Sequence, residues 1–257
     1  MIAVSILDAV LIALAGLGAG TINTIVGSGS LITFPTLVLL GYPPVVANVS
    51  NNLGLVPGGV SGAVGYRREL AGQSQRIRWL APASLLGGII GAVGLLVLPE
   101  SAFDAIVPVL IIVSLIGVIA QPRLRERLGS RESATAPTGD ARPVAPLLLG
   151  TFLGGIYGGY FGAAQGVLLI ALLGIFANDD LQRLNGTKNV LALTVNAVAA
   201  VVFLIAAEID WTVVGLIAVG SVIGGQVGAT IGRRLPPTLL RAVIVVVGVI
   251  AVVRLLT

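Results

Sequence analysis

Cysteine and histidine are both absent from the 257 residues, and lysine occurs once, at Lys188. The first absence excludes disulfides and thiolate metal sites, and the second excludes imidazole ligands and imidazole proton relays. Together they remove the Cys and His nucleophile systems of most membrane hydrolases, so no catalytic residue, metal site or cofactor is expected. Charge is scarce as well, at 10% of residues. What remains is 56% hydrophobic with 35 glycines and a mean hydropathy of +1.04, which is the composition of a chain dissolved in lipid. The pI near 10.1 does not point to nucleic acid, because the arginines sit in short loops between apolar segments rather than on a solvated face.

Apolar segments fall at 5–27, 29–41, 45–66, 77–98, 101–120, 145–163, 166–177, 181–205, 212–231 and 237–256. The first could be a signal peptide, yet no Lys or Arg precedes it and its glycines match those of a later segment, so it is expected to be retained. Segments 29–41 and 166–177 reach only about 18 Å and are expected to be half-helices or arms of re-entrant hairpins. The polar stretch 121–144 reads as a linker between a first membrane unit, 1–120, and a second, 145–257.

Orientation follows from the arginines. Arg67, Arg68, Arg76 and Arg78 fall in one loop, Arg123 to Arg142 in the linker, and Arg233 and Arg234 in a late turn, so these loops are expected in the cytoplasm. Asp8, Glu100, Asp104, Glu208 and Asp210 fall at the opposite ends. Both termini are then external, in an inner-membrane, multi-pass protein compatible with a homo-oligomer.

The chain aligns with itself without gaps at an offset of 137 (185 − 48 = 137, from Asn48 and Asn185). The same offset pairs Asn52 with Asn189, Gly29 with Gly166, Gly18 with Gly155, the run Gly87, Gly88, Gly91, Ala92 with Gly224, Gly225, Gly228, Ala229, and Leu98, Pro99 with Leu235, Pro236. Five segments per unit make the second enter the bilayer from the other side. The expected fold is therefore an all-α membrane protein of two inverted repeats of about five segments each, an architecture typical of secondary transporters. The glycine clusters around Gly87 to Gly91 and Gly224 to Gly232 have the spacing of close helix packing.

Each repeat carries a polar cluster inside an apolar helix: Asn48, Ser50, Asn51 and Asn52 in the first, Asn185, Thr187, Lys188 and Asn189 in the second. Spacings of three and four put Asn48, Asn51 and Asn52 on one face, and Asn185, Lys188 and Asn189 on another. Amides and an ammonium in hydrocarbon cost several kcal/mol unless they find partners or line a wet cavity. Lys188 lies roughly 10 Å along its helix, and it either recruits an anion, loses its proton, or snorkels to the surface. Asn48-Val49-Ser50 and Asn185-Gly186-Thr187 match the glycosylation sequon, a reading their apolar surroundings oppose. Before each short segment lies a polar break, Gly27-Ser28-Gly29-Ser30 and Gly162-Ala163-Ala164-Gln165-Gly166. Such a break is either a plain hinge or a half-helix start whose free N–H groups hold an anion.

The stretches INTIVGSGSLITFPTLVLLGYPPVVANVSNN (22–52) and GGYFGAAQGVLLIALLG (158–174) with LNGTKNVLAL (184–193) resemble the two repeated signatures of the sulfite exporter TauE/SafE family. The resemblance covers nearly the whole chain outside the linker. It implies an inner-membrane transporter of sulfite, sulfonates, sulfoacetate, thiosulfate or related organic anions. The glycine-rich motif departs from the family pattern in the second repeat, where Gly162 and Gly166 flank Ala163, Ala164 and Gln165. A small anion is the expected partner besides the bilayer, bound by Ser28, Gly29, Ser30, Gln165, Gly166 and the two polar clusters. An anion channel, a membrane-embedded enzyme and a non-transporting subunit are the competing readings.

Overall fold

The computed structural model describes residues 4–129, 145–177, 179–230 and seven positions between 242 and 253. The expectations placed on most of the linker, on segment 237–256, on Gly232 to Pro236 and on the side chains of Glu100 and Asp104 lie outside the described residues. Those residues form helices and no strand: α1 (Ile6–Ile25), α2 (Ser30–Leu39), α3 (Pro44–Gly65), α4 (Ser74–Val97), α5 (Glu100–Gly129), α6 (Ala145–Tyr160), α7 (Gln165–Phe176), α8 (Leu181–Ala206) and α9 (Trp211–Thr230). Among them α1, α4, residues 101–120 of α5, α8 and α9 are long and apolar enough to cross a membrane. Helix α5 runs past residue 120 to Gly129, so the first nine residues assigned to the linker are helical.

Local chemistry explains the starts and stops. Ser5 and Asp8 form a reciprocal cap on α1, each bonding the other's backbone N–H. Asp180 accepts from the N–H groups of Gln182 and Arg183 to open α8, and Asp210 accepts from those of Thr212 and Val213 to open α9. Helix α1 ends at Ile25, just before Gly27 at φ +89°, and α6 ends at Tyr160, before Gly162 at φ +75° and Ala164, the position equivalent to Gly27, at φ +58° (164 − 27 = 137). Each break reverses the chain. Helix α2 then runs back along α1, with Ile32 beside Gly18 and Gly29 against Ala19, while α7 runs back along α6, with Leu169 beside Gly154 and Leu172 beside Gly150. The short segments are thus the return arms of two hairpins.

The long helices pack across the repeats. Gly16, Gly20 and Thr24 of α1 meet Ile217, Ser221 and Gly228 of α9 in the same order along both chains, so these helices are parallel, and α3 lies parallel to α9 through Gly54, Gly58 and Gly65. At the 137-residue offset, α4 packs on α6 through Gly87, Gly91, Gly155 and Gly159, again parallel, and Gly88 rests on Val195 of α8. A Cβ at Gly87 would sit 2.9 Å from the Cα of Gly155, too close for any side chain larger than hydrogen. Helices α3 and α8 are antiparallel: Ser50, near the start of α3, accepts from Asp210 N–H just beyond α8, and Tyr66, just beyond α3, bonds Gln182 and Asn185 near the start of α8.

The two ends of this assembly differ in charge. At one end Asp8 and Asp210 both lie near Tyr42, whose hydroxyl is pushed above the ordinary phenol value by burial first and then by the two carboxylates. At the other, Asp179 Oδ2 pairs with Arg76 at 2.9 Å and accepts from Gln73 at 2.6 Å, and Arg183 lies 3.0 Å from Asp179 Oδ1. Arg183 also donates to the carbonyl of Ala71. This cluster ties the loop before α4 to the start of α8.

Burial alone pushes the Asp179 carboxyl up. Hydrogen bonds from Gln73, Arg76 and the Asp180 N–H, together with the Arg76 charge, outweigh it and hold the group below its usual value. A carboxyl depressed by folding adds stability above its unfolded value, near 3.9, and that stability fades as pH falls through the folded value. Asp179→Asn is therefore expected to melt a few degrees below the parent in detergent at pH 7. The gap should close in acid below about pH 4. A gap that does not change with pH would mean the carboxylate is not what holds these loops together.

Candidate functional site

The two breaks meet. Gly166 N–H donates to Gly27 O at 3.0 Å, and the two glycine Cα atoms face each other so closely that a Cβ on either would strike the other. Ser28 and Gln165 occupy equivalent positions beside this contact (165 − 28 = 137), and both are buried, at 1% and 2% exposure. Ser28 Oγ and Gln165 Nε2 make no hydrogen bond. A buried polar group left unmade costs about 1–3 kcal/mol, so two of them at one pseudo-symmetric point call for a polar ligand or water. The N-termini of α2 and α7 begin here, with Ser30 and Gln165 as their first residues, and each helix adds roughly half a positive charge.

Beside the first break, the second polar cluster closes on the end of α1. Asn185 Nδ2, Lys188 Nζ and Asn189 Nδ2 all donate to the carbonyl of Thr24, at 3.3, 3.4 and 3.3 Å, and Lys188 also reaches the Asn23 carbonyl at 3.2 Å. The three residues expected on one helical face do act on one point. Lys188 is fully buried, so it does not snorkel. Its ammonium sits on C-terminal carbonyls of α1, the negative end of that helix, which offsets part of its desolvation. Three donors share a carbonyl that has two lone pairs, and the bonds to it are correspondingly long.

The first cluster spreads instead. Asn48 Nδ2 donates at 3.0 Å to the Tyr160 carbonyl at the end of α6, the position equivalent to Asn23, whose carbonyl takes Lys188 (160 − 23 = 137). Asn51 accepts from Thr33 Oγ1 and donates to Ser30 Oγ at 3.3 Å, bracing the start of α2. Asn52 Nδ2 reaches Asn196 Oδ1 at 3.4 Å, while its own Oδ1 has no partner. Ser50 accepts from Asp210 N–H near the α8–α9 turn, away from the break, and Gly29 serves packing against α1. Thr187 is fully buried with an unpartnered hydroxyl.

Several residues at this site were not singled out from sequence. Asn196 lies seven residues after Asn189, on the same helical face, so that signal was present. Asn23, Thr33 and Tyr66 act through contacts 18 to 165 residues away in the chain, and nothing local marks them. The second break has its own brace: the Tyr157 hydroxyl donates to the Ala163 carbonyl, and Ser114 of α5 donates to the same oxygen at 3.0 Å.

Comparison with known proteins points to membrane transporters. The chain is 26% identical over 231 residues to a Haemophilus influenzae protein described as a probable membrane transporter protein, covering 90% of this chain and 88% of that one. A Sinorhizobium protein, described as probable membrane transporter protein ORF9, is 26% identical over 240 residues, covering 93% and 88%. The Escherichia coli K12 protein described as probable membrane transporter protein YfcA is 25% identical over 239 residues, covering 93% and 86%. No solved structure matches. Residues 12–255 match the profile described as Sulfite exporter TauE/SafE, and the chain belongs to that family of membrane transporters.

Proposed function

We propose that the protein is a secondary transporter that exports a small oxyanion, sulfite or another sulfur-containing or organic anion, by alternating access. The observation that carries this reading is the meeting of the two breaks at Gly27 and Gly166, with Ser28 and Gln165 buried and unsatisfied beside two helix N-termini. Backbone dipoles and neutral donors there suit an anion, and Lys188 adds the formal charge. Asn185, Thr187 and Asn189 of α8 complete the binding set, and no resident cofactor or metal takes part.

Two inverted repeats supply the motion. The parallel set α1, α3 and α9 and the parallel set α4, α6 and α8, with α3 antiparallel to α8, support that topology, because equivalent helices then point in opposite directions. Rocking one set against the other around the fixed breaks would expose the site to each side in turn. A negative interior drives a monoanion outward by about 2.3 kcal/mol per 100 mV, which favours export. The cytoplasmic linker and external termini follow the arginine pattern. A single cysteine at Glu208 should react with an impermeant thiol reagent from outside intact cells, and one at Ser130 only after lysis. The reverse labelling would invert the orientation.

The direct test is flux of radiolabelled sulfite, thiosulfate, sulfoacetate and taurine in proteoliposomes of purified protein. Saturable flux with counterflow is expected. Flux without saturation or counterflow would make the protein a channel, and no flux of any anion would leave a non-transporting subunit. Turnover of lipid by the same preparation would indicate an enzyme.

A further inference from the structure

A small pocket lies between α1, α3 and α8, away from the breaks and next to the Lys188 cluster, with which it shares Asn189. Its polar wall is Asn23, Asn189 and Asn196, and its floor is formed by Gly58, Gly59 and Gly62 of α3. It has room for about one water molecule. Asn189 is only 7% exposed, and its Nδ2 is used on Thr24 while its Oδ1 makes no hydrogen bond to another described residue. Asn196 uses only Oδ1, in a long bond from Asn52, and the side-chain amide of Asn23 bonds no described residue. Three amides with unmade hydrogen bonds around one void point to a polar occupant.

The residues that line this void are small on the α1 side and larger at the equivalent places of the second half. At the 137-residue offset Gly20, Asn23, Gly58 and Gly62 become Tyr157, Tyr160, Val195 and Ala199. The equivalent positions thus carry two tyrosines and two larger aliphatic groups, with the Tyr157 hydroxyl bonded to Ser114 and the Ala163 carbonyl and the Tyr160 ring beside Phe103. The α1 side thus offers polar volume beside Lys188, lined by smaller residues than the equivalent positions of the α6 side carry. The pocket shares Thr24 and Asn189 with the Lys188 cluster, so a ligand there lies within one helical turn of the ammonium's carbonyl partners.

We propose that this pocket is a second station for the transported anion, and that Gly59 and Asn196 set how bulky an anion the protein accepts. The inference rests on the transport reading above and narrows it. The occupant is a compact oxyanion, one oxygen of which replaces the pocket water and takes the amide groups of Asn23 and Asn196, the rest of the ion lying at the pocket mouth. Gly59 keeps the floor open: a Cβ there would come 3.1 Å from Leu193 Cδ1, the movable end of a side chain, so alanine is accommodated at the expense of space. Neutral amides without a further charge favour a small ion with dispersed hydrogen-bonding oxygens over one with an organic tail, which would have to displace the α3 floor.

The experiment is competition against labelled sulfite flux in proteoliposomes by unlabelled sulfite, methanesulfonate and benzenesulfonate, for the parent, Gly59→Ala, Asn196→Leu and Gly215→Ala. Gly215 has open space around it and serves as the control. In the parent, benzenesulfonate should compete on the order of a hundredfold more weakly than sulfite, by analogy with the discrimination of shaped pockets. Gly59→Ala should weaken methanesulfonate about tenfold while changing sulfite less than threefold, and Asn196→Leu should raise the KM for sulfite about tenfold. Gly215→Ala should match the parent. Equal ranking of the anions in all four proteins, or benzenesulfonate competing as well as sulfite, overturns the proposal while leaving transport intact. No labelled flux in the folded parent overturns the transport reading and this one with it. Should Gly59→Ala fail to give monodisperse protein, the KM of Asn196→Leu decides: an unchanged value overturns the station.

Discussion

Gly27→Ala is expected to be among the most damaging single-methyl changes in the chain. At φ +89° an alanine carries the left-handed penalty of about 1–2 kcal/mol, and its Cβ drives into the Cα of Gly166, where only backbone can yield. Overpacking of that kind costs a further 1–3 kcal/mol or so, for about 3 kcal/mol in all. Gly41 separates the two costs, because it shares a φ of +90° but has nothing near its Cβ position. Gly41→Ala should therefore show only the backbone penalty, of roughly 1–2 kcal/mol. Thermal unfolding in detergent should place Gly27→Ala well below Gly41→Ala, and anion flux should vanish in the first and persist in the second. Equal melting of the two variants would mean that the contact between the breaks is not maintained in the membrane protein.

Lys188→Met and Lys188→Gln are expected to abolish most anion flux with little loss of fold. A charge-assisted hydrogen bond is worth about 1.5–3 kcal/mol, so the flux should fall by roughly ten- to a hundredfold. Stability should change little, because Asn185 and Asn189 still donate to the Thr24 carbonyl and methionine fills much of the buried volume. Glutamine tells charge from hydrogen bonding, since it keeps a donor on the α1 carbonyls without the ammonium. If Lys188→Gln transports like the parent, the residue is a cap on α1 and not part of the anion site. A lysine serving only as a cap would instead show its loss as a lowered melting temperature with unchanged KM.

The positions of these two residues were legible to different degrees. Lys188 drew attention because one cation stood in an apolar segment. Nothing local, however, distinguished an anion ligand from a snorkelling side chain. The choice was made by α1, whose last carbonyls lie 164 and 165 residues away in sequence and take the ammonium into the interior. The first polar cluster shows the reverse. Its spacing put Asn48, Asn51 and Asn52 on one face, yet α6, α2 and α8 each claim a different member, so a shared face did not become a shared site.

The amino-acid sequence by itself determined that this chain lives in a bilayer, because its apolar runs and absent charges leave no other solvent for it. It also carried a self-alignment at a 137-residue offset and marked where α1 and α6 give way to α2 and α7, since a local Gly-rich turn is a property of neighbouring residues. Only the tertiary structure decided that the breaks touch, that Ser28 and Gln165 are left unsatisfied, and that a pocket lined by Asn23, Asn189 and Asn196 opens between α1, α3 and α8. The physical reason is that helix breaks are set by backbone conformation within a few residues. Contacts across the repeats depend instead on how glycine-lined helices from both halves interlock, and a single cluster's spacing carries no record of that.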